Sequence, residues 1–321
     1  MNWVKKCKLS VVEAIQYEEH LCIKLEDLWN ALHNLFNSAQ VREVDLHFLD
    51  EIPDKTTTVW NPFSKKELIN MIEKCNNSSA LGLDKLIWSY VKFIIRSKDC
   101  ICKFINITNT CIDLGHWPSH FKTSTMVVIF KSNKAMFDSP KLYHPIVLLN
   151  IIGKLFKKMI EEHLQFHTIS NNFIYPSQFR GLKQRSTIDV GVAFTYIIQL
   201  GWVKNLSMST LVFDIAQFFP FLNHQLLPLI LNKMGLNHKI SKFFKIYLVG
   251  RKTKYLWNDF VSPLFNINIG VGQGSALLSI LSAFYLSPVF LSLENCLKIL
   301  KIPISFISFV DDRLSYLKTN L

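Results

Sequence analysis

Three aspartates stand at the ends of apolar runs in this 321-residue sequence. Asp311 and Asp312 follow Phe306-Ile-Ser-Phe-Val, and Asp214 follows Thr210-Leu-Val-Phe. Adjacent carboxylates repel each other and raise each other's pKa unless a cation or solvent offsets the charge. If the two runs form neighbouring strands, the three carboxylates could hold divalent metal ions. Mg²⁺ fits such a site because it takes one or two carboxylates, keeps several waters and binds phosphate oxygens.

The two adjacent aspartates are not expected to play the same part. Neighbouring side chains of a strand face opposite sides of the sheet, so only one of the two can point straight at metals bound by Asp214. We take Asp311 as the main ligand and Asp312 as an outer or shared carboxylate. Taken alone, an Asp-Asp pair is more typical of a turn or a helix cap. The metal hypothesis therefore depends on the other motifs of the chain.

Composition indicates a folded protein with a basic surface. Hydrophobic residues make up 49% of the chain and the mean hydropathy is +0.20, which argues against disorder. The formal net charge of +12 favours a polyanionic partner such as nucleic acid, and a solvated basic surface explains it equally well. The seven cysteines lack paired Cys-x-x-Cys spacing, so neither a zinc site nor a disulfide framework is predicted.

Membrane and export signals are weak. The basic N-terminus is not followed by a continuous apolar segment, because Glu13, Glu18 and Glu19 interrupt it. Residues 276–293 are apolar enough to raise a membrane span, but Pro288 and several serines lie within them. We expect a buried core helix there and an intracellular protein, with nucleus and cytoplasm both left open.

Helical and strand patterns alternate irregularly along the chain, which predicts an α+β fold. Leucines spaced four and three apart from Leu21 to Leu35 predict an N-terminal helix. Ser64 and Glu67 form a capping-box pattern that starts a helix at Lys65. The other predicted segments are a linker at 50–58, helices near 85–97, 100–113, 186–203, 223–234, 239–249 and 277–300, a helical pattern through 145–164, and strands at 123–130, 209–215, 265–269 and 304–310.

Several ordered blocks of the sequence together indicate a family. Phe309-Val-Asp-Asp312 resembles the Phe-x-Asp-Asp box of reverse transcriptases, and Phe213-Asp-Ile-Ala-Gln-Phe-Phe219 resembles their first catalytic strand. Further resemblances are Ala80-Leu-Gly-Leu-Asp84 to a fingers motif, 117–131 with 143–149 to the block ending Tyr-Arg-Pro-Ile-Ser-Leu-Leu, 178–187 to the box ending Arg-Ser-Thr, and 270–275 to the Gln-Gly-Ser block. Over residues 60–317, the chain resembles the reverse transcriptases of non-LTR (LINE-like) retrotransposons.

The resemblance implies a right-hand polymerase fold. It predicts fingers and a partial palm, built from an antiparallel sheet with packed helices, and a chain truncated after the Phe-x-Asp-Asp box with the thumb absent. The implied regions are an N-terminal helical segment and linker (1–58), a fingers-like region (59–208) and the partial palm (209–321), with the reverse transcriptase domain at about 112–321.

The resemblance also implies an activity and its partners. The chain would be an RNA-directed DNA polymerase, using an RNA template, a DNA primer and dNTPs, with Mg²⁺ as the cofactor and Mn²⁺ as a substitute. Asp214, Asp311 and Asp312 would be catalytic, and Asp214, Ile215 and Asp311 would bind metal. Two metal ions would activate the primer 3′-hydroxyl and stabilise charge on the transferred phosphoryl group.

Eight residues are implied to bind nucleotide or template. Phe219 would pack under the incoming sugar and exclude a 2′-hydroxyl, unless it is an ordinary core residue. Glycines of the 270–275 loop would allow close approach of the backbone to a ligand, unless they only form a turn. Each cation of the set could equally be a solvated surface charge. The predicted set is Lys131, His144, Arg185, Phe219, Gly272, Gln273, Gly274 and Ser275.

Two departures from the family pattern bear on activity. His144 replaces an arginine and cannot make a bidentate phosphate contact. The first catalytic motif ends in Pro220, where the family commonly has a second carboxylate. We therefore expect impaired catalysis in this chain. The alternatives are a catalytically dead retroelement remnant that at most binds nucleic acid, and a small membrane protein built on residues 276–293.

Overall fold

The structure is a computed structural model. It describes residues 15–320, apart from 83, 131–138, 180, 216–217, 258, 303 and 310–311. The described helices are α1 (Leu25–Phe36), α2 (Lys65–Glu73), α3 (Trp88–Ile94), α4 (Lys98–Leu114), α5 (Ile151–Asn171), α6 (Thr187–Val203), α7 (Leu226–Lys233), α8 (His238–Leu248) and α9 (Leu278–Ile299).

Ten strands accompany these helices, so the described chain is of the α+β class, as predicted. They are β1 (Ile15–Tyr17), β2 (His20–Cys22), β3 (Thr123–Phe130), β4 (Tyr143–Leu148), β5 (Leu206–Asp214), β6 (Arg251–Trp257), β7 (Phe260–Val261), β8 (Phe265–Ile267), β9 (Ile304–Phe309) and β10 (Asp312–Asn320).

Helix ends follow the local signals of the sequence. The Ser64 hydroxyl accepts a hydrogen bond from the Glu67 amide, and the Glu67 carboxylate accepts one from the Ser64 amide, so α2 begins at Lys65. The same reciprocal cap opens α6, formed by Ser186 with Asp189. These interactions satisfy amide groups that the first turn of a helix leaves unpaired.

The helical pattern expected from Pro145 is wrong at its start. Residues from Tyr143 to Leu148 form strand β4, and α5 begins only at Ile151. Tyr143, Pro145 and Val147 alternate into the core, and β4 pairs with β3 throughout its length. Strand pairing therefore overrides a spacing of apolar residues that a helix also fits.

The largest sheet has five strands and mixed direction. Its order is β4-β3-β6-β7, with β8 also paired to β6. β3 runs antiparallel to β4 and parallel to β6, where Met126 is opposite Tyr255. Because β3 and β4 come from the predicted fingers-like region and β6–β8 from the predicted partial palm, this sheet draws on both ranges.

A three-stranded antiparallel sheet, β5-β10-β9, carries the aspartates. β9 and β10 are antiparallel partners, with Phe309 opposite Asp312. Phe306 and Ile307 of β9 are buried, which fixes this strand pair against the body of the protein.

Two hydrophobic cores hold the molecule together. The first core joins the described helices other than α1 and α6, and its fully buried aromatics include Trp88, Trp117, Phe243 and Phe284. In the second core, α1 packs on the five-stranded sheet, with the ring of Trp29 stacked on Tyr255 at 6.4 Å between centroids. Tyr255 and Trp257 of β6 are buried there, so these aromatics serve packing rather than an exposed base-stacking surface.

One described helix, α9, is long and apolar enough to cross a membrane by length and composition. Over half of its most apolar window is buried inside the protein, with Leu281 and Phe284 fully enclosed. The hydroxyls of Ser282 and Ser287 donate to carbonyls one turn earlier, so the buried serines are satisfied within the helix. These contacts are those of a core helix and give no confident transmembrane segment.

Helix α6 and strand β5 form an exposed apolar surface. Ile188, Val192 and Tyr196 lie one turn apart along α6 and are each more than half exposed. Leu211 and Val212 of β5 are adjacent and both about two-thirds exposed, at 64% and 67%, so neither face of the sheet is covered at this point. Among the described strands, β5 has a neighbour on one edge only.

Three partly buried histidines are held in the neutral form. Burial lowers the pKa of His33 and of His167, and the nearby His163 lowers the pKa of His167 further. His224, just before α7, is affected most: burial and the charge of Arg251 lower its pKa to about 4. Each histidine therefore opposes folding once it must accept a proton.

The core position of α9 gives a test of the fold. We expect Phe284→Ala to lower the free energy of unfolding by about 3–5 kcal/mol, because it leaves a cavity in the first core. Val289→Ala on the same helix, where the side chain is 48% exposed, should cost less than about 1 kcal/mol. Urea denaturation measures both, and equal costs would contradict the burial of Phe284.

The lowered pKa of His224 predicts a pH dependence of stability. Its folded pKa of about 4 lies below the ordinary value of 6.5, so the stabilisation is complete above pH 6.5 and is lost as the pH falls towards 4. The full loss is about 3 kcal/mol. Denaturation of wild type and His224→Gln at pH 7 and pH 4.5 measures the contribution of His224 to the free energy of unfolding. A pH-dependent loss equal in the two proteins would refute it.

Candidate active site

Two of the predicted catalytic aspartates are backbone partners on adjacent strands of the three-stranded sheet. Asp214 is the last residue of β5, Asp312 is the first of β10, and the antiparallel register places them directly opposite each other. The Asp214 side chain is exposed at this end of the sheet. The expectation that the two apolar runs form neighbouring strands is wrong: they lie in one sheet, but β10, which begins at Asp312, lies between β5 and β9 and pairs with both.

Asp311 lies outside the described residues, as does Lys131. The choice of Asp311 as the main metal ligand stays a prediction. Ile215, predicted to bind metal, follows Asp214 directly, and its side chain packs against the first core, so its main-chain carbonyl is the group available for a ligand role.

The donor chemistry at this end of the sheet suits a hard cation. Carboxylate oxygens and a main-chain carbonyl are the protein ligands that Mg²⁺ takes, together with water and phosphate. Within the described residues, no group of three His, Cys, Asp or Glu side chains is close enough to hold a metal by itself. A metal site here would need donors besides Asp214, and the sequence predicts them at Asp311 and Asp312.

The block that contains Arg185 docks onto the same sheet. Gln178 forms a parallel bridge with Ser308 of β9, and the Phe179 amide donates to the Ser308 carbonyl at 2.8 Å. Arg185 Nη1 donates to the carbonyls of Pro176 and Gln178, at 2.8 and 2.6 Å. Arg185 thus braces the segment that extends the sheet, and its predicted contact with template or triphosphate stays a prediction.

The loop Gly270–Ser275, which we call the glycine loop, is wedged between β4 and the segment after β5. The Val147 amide of β4 donates to the Gln273 carbonyl at 2.8 Å, and the Val271 amide donates to the Phe219 carbonyl at 3.2 Å. Gly274 has φ +108°, and a Cβ there would lie 2.9 Å from the Val147 carbonyl oxygen. Only glycine combines this backbone conformation with so close an approach.

Phe219 opens a single 3-10 turn, Phe219–Phe221, a few residues after Asp214. Its side chain is partly buried at the edge of the first core, and its ring centroid is 5.6 Å from that of Phe218. The structure therefore brings Phe219 together with the glycine loop. Both the sugar-packing role and the core role remain compatible with this position.

His144 is not brought to the face of β4 on which Val147 lies. The two residues are an odd number of positions apart, so they belong to opposite faces of the strand. Val147 is buried in the second core, whereas His144 is exposed. The predicted nucleotide-binding set is thus divided: Phe219 and the glycine loop are adjacent, and His144 faces away from their contact with β4.

Beneath the glycine loop lies a cluster of polar side chains that no motif predicted. His224 Nε2 and Arg251 Nη1 both contact the Gly270 carbonyl oxygen, at 2.7 and 2.8 Å. Lys157 of α5 is only 4% exposed, with its Nζ 5.3 Å from the ring centroid of Tyr247. These side chains come from four separate elements, so no linear spacing in the sequence reveals the cluster.

The electrostatics of this cluster are unusual for a protein interior. Burial lowers the pKa of Lys157 and of Arg251, because the charged forms lose hydration. Burial would raise the pKa of Tyr247, but the charges of Lys157 and Arg251 outweigh it and lower that pKa. The cluster thus places two cations near one phenol, and their positive charges favour its ionised form.

Asp84, in the block that resembles a fingers motif, has a structural role. Its carboxylate accepts a hydrogen bond from the Ile151 amide at 3.0 Å and so caps α5 from another part of the chain. A Cβ on Gly82 would lie 2.4 Å from the Leu149 carbonyl oxygen. Gly82 and Asp84 together dock this block where β4 passes into α5.

Comparison with known proteins gives two distant relatives, both from Drosophila melanogaster. The chain is 25% identical over 224 residues to the probable RNA-directed DNA polymerase from transposon X-element, covering 70% of this chain and 24% of the relative. It is 23% identical over 236 residues to the probable RNA-directed DNA polymerase from transposon BS, covering 71% and 25%. No family model matches the chain.

The chain spans about a quarter of the length of the curated relatives that it matches. At the level of the family, these relatives support a reverse-transcriptase-like domain of a transposon. The opposed aspartates and the glycine loop are therefore found in a chain similar to transposon RNA-directed DNA polymerases.

Proposed function

We propose that this chain is a reverse transcriptase domain of a non-LTR retrotransposon, which transfers nucleotides from dNTPs to a primer 3′-hydroxyl on an RNA template. The observation that carries the proposal is the register of β5 and β10, which pairs Asp214 with Asp312. Directly opposed residues of antiparallel strands belong to one face of the sheet. That geometry supports a carboxylate site built from both strands.

The proposed metal ligands are the Ile215 carbonyl and the carboxylates of Asp214, Asp311 and Asp312. The register favours Asp312, which is opposite Asp214, and Asp311 stays the main ligand predicted from the sequence. Bound there, two Mg²⁺ ions would supply Lewis-acid stabilisation of the phosphoryl group. The chain's own contribution is to bring oxygen donors of two strands to one exposed end of a sheet. Mn²⁺ would substitute because it takes the same oxygen ligands.

The proposed binding surface for primer and template includes the glycine loop and Phe219. Main-chain hydrogen bonds connect this loop to Phe219 on one side and to β4 on the other. Gln273 offers both donor and acceptor groups to a base or sugar. We assign residues 59–208 to a fingers-like region and 209–321 to a partial palm; the antiparallel pair β9-β10 beside β5 supports the palm assignment.

A second candidate function is nucleic-acid binding without catalysis. The net charge of +12 favours it, because a basic surface gains free energy by releasing counterions from phosphates. The replacement of arginine by histidine at position 144 also favours it, since triphosphate binding loses a bidentate donor. Catalysis and binding are separable by experiment.

Primer extension tests the proposed catalysis. With RNA template, annealed DNA primer, dNTPs and Mg²⁺, we expect Asp214→Ala and Asp311→Ala each to lower the extension rate by at least about a hundredfold, the loss typical of removing one transition-state-stabilising group. The relative losses in Asp311→Ala and Asp312→Ala tell which of the two adjacent aspartates is the main ligand. Asp259→Ala, at an exposed position after β6, is the matched control. Undiminished extension by Asp214→Ala would sink the assignment.

Salt titration tests the binding-only alternative. We expect log Kd for a fluorescent RNA–DNA hybrid to rise linearly with log salt concentration, because phosphate contacts release counterions. Asp214→Asn should bind as wild type or slightly more tightly, since it removes a negative charge near the nucleic acid. Fluorescence anisotropy gives both values. Salt-sensitive binding without any extension by wild type would favour the remnant, whereas binding insensitive to salt would exclude both functions.

A further inference from the structure

Gly270 is the first residue of the glycine loop, and two side chains hold its carbonyl oxygen in place. His224 Nε2 lies 2.7 Å from this oxygen and Arg251 Nη1 lies 2.8 Å from it. Because His224 is neutral and Nε2 faces a carbonyl, the Nε2 atom carries the proton and donates. Two donors from different elements therefore share one acceptor.

The remainder of the loop depends on that anchor. Gly270 has φ +75°, and its amide donates to the Leu222 carbonyl at 2.7 Å. Downstream, the Gln273 carbonyl accepts from the Val147 amide and the Ser275 amide donates to the Gly272 carbonyl. The loop is thus held at its beginning by side chains and at its centre by β4, and the conformation of Gln273 follows from both.

Placing Lys157 and Arg251 close together inside the protein costs free energy, because both charged groups lose hydration and repel each other. Lys157 and Arg251 lie near the same phenol, that of Tyr247, and Arg251 adds to the lowering of the Lys157 pKa. Arg251 donates to the loop backbone, and no ion pair of Arg251 with an acidic residue occurs in the described part of the chain. A buried guanidinium that binds a loop carbonyl is consistent with selection for loop geometry, since an apolar residue would cost less.

We propose that His224 and Arg251 are positioning residues, which hold the glycine loop in the conformation that presents Gln273 to primer and template. The role in catalysis rests on the proposed function, whereas the effect on the loop does not. Neither side chain has to touch substrate for this role.

The first part of the test measures the loop without any substrate. Amide hydrogen exchange at Val147, whose amide donates to Gln273, should become about tenfold faster in His224→Leu and Arg251→Met, as expected for losing one hydrogen bond of ordinary strength. His224→Gln and Arg251→Lys retain a donor and should stay near the wild-type rate. The matched controls are His238→Leu and Lys252→Met, which change exposed side chains on neighbouring elements.

The second part measures extension by the same variants. We expect His224→Leu and Arg251→Met to raise the KM for primer–template by about tenfold, the factor that corresponds to one lost hydrogen bond, with a smaller change in kcat. His224→Gln should restore the KM. A general loss of stability would instead lower the active fraction and reduce the apparent kcat without this rescue.

The outcomes separate the two proposals. Exchange at Val147 that is unchanged in His224→Leu and Arg251→Met would overturn the positioning role, whatever the extension assay gives. Faster exchange with rescue by His224→Gln supports it, even if wild type extends no primer, in which case the proposed function alone fails. Faster exchange in an active enzyme whose KM and kcat are unaltered would overturn the link to substrate.

Discussion

The pairing of β5 with β10 is the constraint on which the candidate site depends. Asp214 and Asp312 are opposed because Arg313 pairs with Phe213 and every later residue of β10 follows the same register. A slip by one residue would move each side chain of a strand to the other face. β9 holds this register from the other side, so the buried residues of β9 help to fix which backbone positions of β5 and β10 are opposed.

Local signals allowed much of the fold to be predicted from the sequence. Ser64 with Glu67 located the start of α2, and Gly115 located the end of α4, because caps and left-handed turns depend on neighbouring residues alone. Strand β4 was mistaken for helix, since its status depends on pairing with β3. The burial of Tyr255 was equally unpredictable, because it results from contact with α1 across more than two hundred residues of sequence.

In the candidate site, too, local features were predictable from the sequence and contacts between distant residues were not. Its motifs are short and contiguous, so the sequence indicated the aspartates and the glycine loop. The side chains that hold the loop are His224, which precedes α7, and Arg251, which follows α8; both contact the Gly270 carbonyl oxygen. The two side chains are related only because they donate to the same carbonyl oxygen in the folded protein. No spacing along the sequence reveals that relation.

The exposed edge of β5 has a consequence for the molecule in solution. Its nine residues include neither proline nor lysine, and Leu211 and Val212 are open to solvent. Natural sheets place proline or lysine on their edge strands to prevent strand addition by another molecule. Together with the exposed apolar side chains of α6, this edge is expected to favour association between molecules as their concentration rises. The strand that ends in Asp214 therefore also bears on how the polypeptide behaves in concentrated solution.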